Sequence, residues 1–191
     1  MANSGLPVLN FVGRNFSQNG LSILIVSRAS SAITRNLCQT LQDCRSSSIL
    51  LHVFTTQSIK QLLQQTKSMS FDFVVFLIKS GRNKGLQELN DDICMIDKHY
   101  FTMSRVCLVL YKDVPFSRMQ ISSEEVHCLA ATLHTPVLVS HLENDEEFRV
   151  LANQILNLSM TVTGAASGVP LMLAHSQEER DWLSEYFSAL Y

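Results

Sequence analysis

The feature that most constrains this sequence is the alternation of short apolar runs with longer segments whose apolar residues recur at helical spacing. The run Leu21 to Val26 is rich in β-branched residues, and Ile33, Leu37 and Leu41 then share one side of a predicted helix. Short apolar runs of this kind are typical of strands that are buried on both faces. Four further strands are predicted at Ile49 to Thr55, Phe71 to Ile78, Val106 to Leu110 and Val137 to Ser140.

Five repeats of this alternation predict an α/β fold. The expected architecture is a mostly parallel central sheet of about five to six strands with helices on both faces, joined by right-handed crossovers. Ser122 with Glu125 forms a predicted capping box, and Asn144 with Glu147 is expected to cap a longer helix. Gly164 is the predicted end of that longer helix.

The chain is predicted to divide into three parts. Residues 1–20 form a polar lead that is expected to be flexible, and residues 21–163 form the α/β domain. Residues 164–191 combine an apolar segment that contains helix breakers with a terminal helix that carries Trp182. That last part is expected to dock either on the protein's own body or on a partner chain, because apolar surface favours burial.

Composition excludes several classes of protein. Charged residues make up only 17% of the 191 residues, below the roughly 25% of an ordinary soluble domain. The net charge is −2, and the chain has no long block of like charges, so direct nucleic-acid binding is not expected. Because charged side chains are depleted at interface cores, the shortfall predicts that much of the surface is interface.

The apolar runs are too short for a membrane span. The longest, Phe73 to Ile78, is far below the ~20 residues that a spanning helix needs. The start has no basic region ahead of a sustained apolar stretch, so no secretory signal is predicted and the protein is expected to stay inside the cell. Reduced packing residues are therefore predicted at Cys38, Cys44, Cys94, Cys107 and Cys128.

The loop after the first strand is where this fold class binds ligands. A phosphate-binding loop has the pattern G-x-x-x-x-G-K-Ser/Thr, in which glycines let amides wrap the phosphates and the Lys meets their charge. In this register Ser27 and Ala32 replace the glycines, Ile33 replaces the Lys, and only Thr34 matches. No cofactor is therefore expected.

Other chemistry is also not indicated by the sequence. No Ser, His and Asp order rises above chance, and no Cys/His spacing suits zinc, so neither catalysis nor a metal site is predicted. Arg28 and Arg35 could hold an anion, although solvated surface charge is the simpler interpretation.

A family resemblance is carried by Leu21 to Leu41, Asp72 to Ile78, Ile96 to Leu110 with its Arg105-Val106-Cys107, and Phe148 to Leu173 with its Gly168-Val169. These stretches resemble the centromere protein M family over about residues 20 to 176, most specifically in the last thirty of them. The terminal helix with Trp182 has no match in the family pattern.

The resemblance implies a small-GTPase-like three-layer fold that has lost nucleotide binding. It implies a non-catalytic structural subunit of the inner kinetochore, in the constitutive centromere-associated network of the nucleus, that serves chromosome segregation. The implied partners are centromere proteins I, H and K, with no membrane, nucleic acid or small-molecule substrate. Two further GTPase motifs are also missing or degenerate. The base-recognition motif N-x/K-x-D would fall at Tyr111 to Val114, which keeps only its Lys. No D-x-x-G motif lies between the second and third strands.

Apolar residues in expected loops are the candidate contacts with a helical partner. They are Tyr100, Phe101 and Met103 before the fourth strand, and Leu171, Met172 and Leu173 after the long helix. The alternative interpretation is that they cover the protein's own core. The alternative function is that of a GTPase relative that retains nucleotide binding as a switch, supported by the fold and by Thr34.

Overall fold

A computed structural model describes residues 7–11, 20–45, 49–65, 69–82, 84–112, 114–115 and 118–165. Its five strands are β1 (Leu21–Ser27), β2 (Leu51–Thr56), β3 (Phe73–Lys79), β4 (Val106–Tyr111) and β5 (Val137–Ser140). Its helices are α1 (Ser31–Cys44), α2 (Ile59–Gln65), α3 (Gly85–Ile93), α4 (His99–Thr102), α5 (Ser123–Thr132) and α6 (Asp145–Thr163).

The strands form one sheet in the order β2-β1-β3-β4-β5, and every pair is parallel. Successive residues of β1 and β3 point to opposite faces, and both faces are buried. Leu24 and Val74 belong to the core under α2 to α5, whereas Ile23 and Phe73 belong to the core under α1 and α6. The predicted α/β class is confirmed, and the architecture is the three-layer arrangement of a small-GTPase-like fold.

The helix ends confirm the capping predictions. Ser122 Oγ accepts from the Glu125 N–H while Glu125 Oε2 accepts from the Ser122 N–H, which completes the capping box of α5. Asn144 Oδ1 accepts from the Glu147 N–H at the start of α6. Gly164 ends α6 with φ of 76°, a left-handed conformation that glycine adopts without steric cost.

Part of the lead that was expected to be flexible, residues 7–11, is bonded to the domain. The Leu9 N–H donates to the Met95 carbonyl and the Asp97 N–H donates to the Leu9 carbonyl, so Leu9 and Ile96 form a parallel bridge. The Leu9 side chain is fully buried in the core under α2 to α5. The short polar lead therefore contains an apolar anchor, and the folded unit extends beyond the predicted boundary at residue 20.

Candidate functional site

The loop after β1 is held by hydrogen bonds between its own residues. Ser27 Oγ accepts from the Ala29 N–H at 3.1 Å, and Thr34 Oγ1 lies 3.1 Å from Ser27 Oγ and 3.3 Å from the Ser30 carbonyl oxygen. Ser30 caps α1, because its Oγ accepts from the Ile33 N–H. The one residue that matches the phosphate-loop pattern, Thr34, is thus engaged by the loop that surrounds it.

Ile33 stands where a phosphate-binding loop has its lysine. Its side chain is half-buried and packs against the core under α1 and α6. An apolar side chain in this position offers no charge to a phosphate, and the Cβ atoms of Ser27 and Ala32 stand where the pattern has glycine.

Arg28 is the cation of this loop, and it is paired rather than solvated. Its Nη1 donates to Asp92 Oδ2 at 2.7 Å, and its Nε lies 3.7 Å from Glu88 Oε2. The interpretation of Arg28 as surface charge is therefore wrong, because two carboxylates of α3 hold the guanidinium across the end of the sheet. Arg35 is exposed, as expected.

Asp92 joins three elements at this end of the sheet. Its side chain is 2% exposed, and its second oxygen accepts from the Ile59 N–H at 2.8 Å, at the start of α2. Burial raises the pKa of the Asp92 carboxyl above its ordinary value, while the hydrogen bond and charge of Arg28 act in the opposite direction. One carboxylate therefore ties the loop after β1 and the first turn of α2 to α3. We call the contacts of Arg28, Asp92 and Ile59 the clamp.

Glu88 extends the clamp to the loop that follows β3. Both of its oxygens accept from Arg82 at 2.7 Å in a bidentate pair. The hydrogen bond from Arg82 lowers the pKa of the Glu88 carboxyl, despite partial burial that acts to raise it. Arg28, Arg82, Glu88 and Asp92 thus have their charges matched within the protein.

The structure places the candidate contact residues of α4 differently from one another. Tyr100 and Phe101 are both fully buried in the core under α2 to α5, so they expose no surface to a partner. They cover the protein's own core, which was the alternative interpretation of these two residues. Met103 is half-buried at the end of α4 and belongs to neither core cluster. Leu171, Met172, Leu173 and the helix with Trp182 lie outside the described residues.

A tight turn fixes the position of Met103. The Arg105 N–H donates to the Tyr100 carbonyl and the Ser104 N–H donates to the Phe101 carbonyl, which is the bonding of a Schellman motif. Ser104 adopts φ of 53° at the position where glycine is usual. Because these two nested hydrogen bonds fix the main chain of residues 100–105, Met103 has a defined position at the surface.

Tyr100 anchors this turn from below. Its hydroxyl donates to the Phe71 carbonyl at 3.0 Å and accepts from the Phe71 N–H at 3.1 Å. Burial raises the pKa of Tyr100 to about 12. Phe11 packs edge-on against the Tyr100 ring and lies under the Arg105 guanidinium, so the lead also supports the surface around Met103.

Comparison with known proteins decides the family. A model of the centromere protein M (CENP-M) family matches residues 7–179 of the 191-residue chain. The chain belongs to the centromere protein M family. A search of curated proteins gave no significant match.

Membership of the centromere protein M family assigns the chain a centromere-associated role at the kinetochore, and hence a place in the nucleus. The family is a structural one, in agreement with a subunit that is not an enzyme. The match begins at residue 7, which agrees with the packing of Leu9 into the core.

Neither a metal site nor a membrane span is found in the described ranges. Among the described residues, no group of three or more His, Cys, Asp and Glu side chains is placed to hold a metal ion. No helix in the described ranges combines the length and the apolar character that crossing a bilayer requires.

Sequence reasoning missed the clamp, although a signal for it was present. Asp92 shares its helix face with Leu89 and Ile93, which are both buried. An acid on an apolar face needs a buried partner, because an unpaired buried carboxylate is costly. Nothing in the local sequence identifies Arg28, 64 residues away, as that partner.

Proposed function

We propose that this protein is a non-catalytic pseudo-GTPase subunit of the inner kinetochore that binds and stabilises a helical partner. By family, that partner is centromere protein I, assembled with centromere proteins H and K. The complex serves kinetochore assembly and chromosome segregation. The proposal rests mainly on the clamp. Arg28, which lies within the degenerate phosphate-binding pattern, is paired with Asp92 of the same protein.

The clamp ties the degenerate phosphate-binding loop and the start of α2 to one helix. In a nucleotide switch, loops are held by phosphate and magnesium contacts and are released on hydrolysis. Here protein contacts do that work: Arg28 and Asp92 bond the loop after β1 and the start of α2 to α3. Ile33 provides no cation for a phosphate, so the sequence and the contacts both favour a body with one conformation.

The surface around Met103 is the proposed contact with the partner. The side chain is apolar and half-buried, and the Schellman motif fixes the main chain that carries it. Because that main chain is already ordered, binding a partner through Met103 does not require the turn to be ordered first. Leu171, Met172 and Leu173 remain proposed contacts, because they are apolar residues in a segment predicted to be loop.

Size-exclusion chromatography with the helical region of centromere protein I, together with centromere proteins H and K, tests the proposal. The wild-type chain is expected to co-elute with the partner proteins. The double variant Met103→Ala, Met172→Ala is expected to weaken the complex by about tenfold or more, the range of an interface hot spot.

Met119→Ala is the matched control. Met119 is also half-buried and also lies outside both core clusters, so its truncation removes the same atoms at a different place. A wild-type chain that fails to co-elute refutes the partner assignment. A complex that survives Met103→Ala with Met172→Ala while the wild type co-elutes refutes only the assignment of the surface.

A further inference from the structure

The outer edge of β2 is open along the described part of the chain. β2 is the last strand of the sheet, and within the described residues it pairs only with β1. It contains neither proline nor lysine, two residues by which proteins commonly protect such edges.

The hydrogen-bond pattern shows which residues face outward. The Leu21 N–H donates to the Leu50 carbonyl, so the main chain of residue 50 faces β1. Main-chain groups of successive residues in a strand point to alternate sides of it. The main chains of Leu51, Val53 and Thr55 therefore point away from the sheet, and Gln42 Nε2 already donates to the Leu51 carbonyl at 3.2 Å. The outward N–H and carbonyl groups of Val53 and Thr55 are therefore the ones that can pair with an added strand.

A groove is shared by this edge and the loop after β1. It has a volume of about 580 Å³ and is lined by Val53 and Thr55 of β2 and by Ser27, Ala29 and Thr34 from the degenerate phosphate-binding loop. Arg35 of α1 and Gln61 and Gln65 of α2 also line it, so two helices flank the strand edge.

Apolar surface adjoins the groove on one face of β2. The side chain of Phe54 is 37% exposed and packs edge-on against Phe71, and Leu50 at the start of the strand is 57% exposed. Residues 50 and 54 share one face of the strand, because side chains alternate along it. An added strand can contact these two side chains while it pairs with the edge.

We propose that the β2 edge binds an extended acidic segment of a partner protein, which adds to the sheet as a sixth strand. Addition of a strand supplies main-chain hydrogen bonds, and side chains beside the edge supply selectivity. Arg35 is the charged residue among those lining the groove; it has no ion pair within the described residues, and no carboxylate lines the groove. A second copy of this chain is a poorer occupant, because β2 itself contains no carboxylate to meet Arg35.

Three short synthetic peptides with valine at alternate positions serve as probes. They differ only in the residues between the valines, which are mainly acidic, neutral or basic. Fluorescence anisotropy measures affinity for the full chain, and NMR-detected hydrogen exchange follows the Val53 and Thr55 amides. The acidic peptide is expected to bind most tightly at low salt and to slow exchange at both amides.

Matched variants separate main-chain pairing from charge. Thr55→Pro removes one outward N–H, and N-methylation of alternate peptide residues removes the complementary donors. Each change is expected to weaken binding of the acidic peptide by about tenfold or more. Arg35→Glu is expected to do the same, whereas Lys98→Glu, at an exposed cation next to α4, is expected to leave affinity unchanged.

Four outcomes overturn the proposal. The first is equal affinity for the N-methylated peptide, and the second is equal affinity for the basic peptide. The third is slow exchange of the Val53 and Thr55 amides in the free monomer, which identifies the chain itself as the occupant. The fourth is slow exchange that appears only at high protein concentration, which identifies a second copy.

Discussion

Arg28→Ala removes the cation of the clamp and leaves the Asp92 carboxylate in place. The Asp92 side chain is 2% exposed, so its charge is then buried with the Ile59 N–H as its remaining partner. Breaking a buried ion pair in this way typically costs about 3 to 5 kcal/mol. The Arg28 side chain is 25% exposed, so water screens part of the interaction, and we expect a loss of about 2 kcal/mol in the free energy of unfolding at pH 8.

The cost of this substitution should depend on pH. The pKa of Asp92 is already raised by burial, and removal of a cation raises it further. A group whose pKa is higher in the folded than in the unfolded state destabilises the fold when it is ionised, and this penalty fades as pH falls through the raised value. The difference between wild type and Arg28→Ala is therefore expected to be smaller at pH 5 than at pH 8.

Urea denaturation at both pH values measures these free energies. Arg35→Ala is the matched control, because Arg35 lies nearby in α1 but is exposed, and its loss is expected to cost less than about 0.5 kcal/mol. If Arg28→Ala costs no more than Arg35→Ala at either pH, the clamp does not stabilise the fold and the reasoning is wrong.

Three further predictions concern single residues. Ser104→Gly is expected to stabilise the protein by about 1 kcal/mol in urea denaturation, because φ of 53° suits glycine; a loss of stability contradicts the Schellman turn. Gly20→Ala is expected to cost about 2 kcal/mol or more in the same assay, because an added Cβ would overlap the Leu50 carbonyl oxygen and φ of 78° is unfavourable for alanine. An unchanged midpoint refutes that packing. In thiol labelling of the native protein at pH 8, Cys128 on the exposed side of α5 should react quickly. Cys107 should stay unmodified, because burial raises its pKa to about 12. Labelling of Cys107 before unfolding contradicts its burial.

Most of the fold could be predicted because periodicity is a local property of the sequence. Apolar runs located all five strands to within about two residues, and the capping residues of α5 and α6 had clear local signatures. The packing of residues 7–11 could not be predicted in this way. It depends on one buried leucine and two main-chain bonds to residues more than 80 positions away.

The candidate site was predictable only in part. The degenerate loop of Ser27, Ala32, Ile33 and Thr34 could be recognised from residue identities alone, because each position of the motif has a specific chemical requirement. Met103 could not be separated from Phe101 by sequence. Both are apolar residues next to the same helix end, and only the direction in which α4 meets the sheet buries one and leaves the other partly exposed.

A stability titration with GTP and magnesium distinguishes a pseudo-GTPase from a nucleotide switch. We expect the free energy of unfolding of the full chain to stay unchanged as Mg²⁺ and GTP are added to millimolar concentration. A ligand that binds the folded state adds about 2.7 kcal/mol at a hundred times its dissociation constant. A rise of that size, specific to GTP over ATP, contradicts the account and supports the alternative of a retained nucleotide switch.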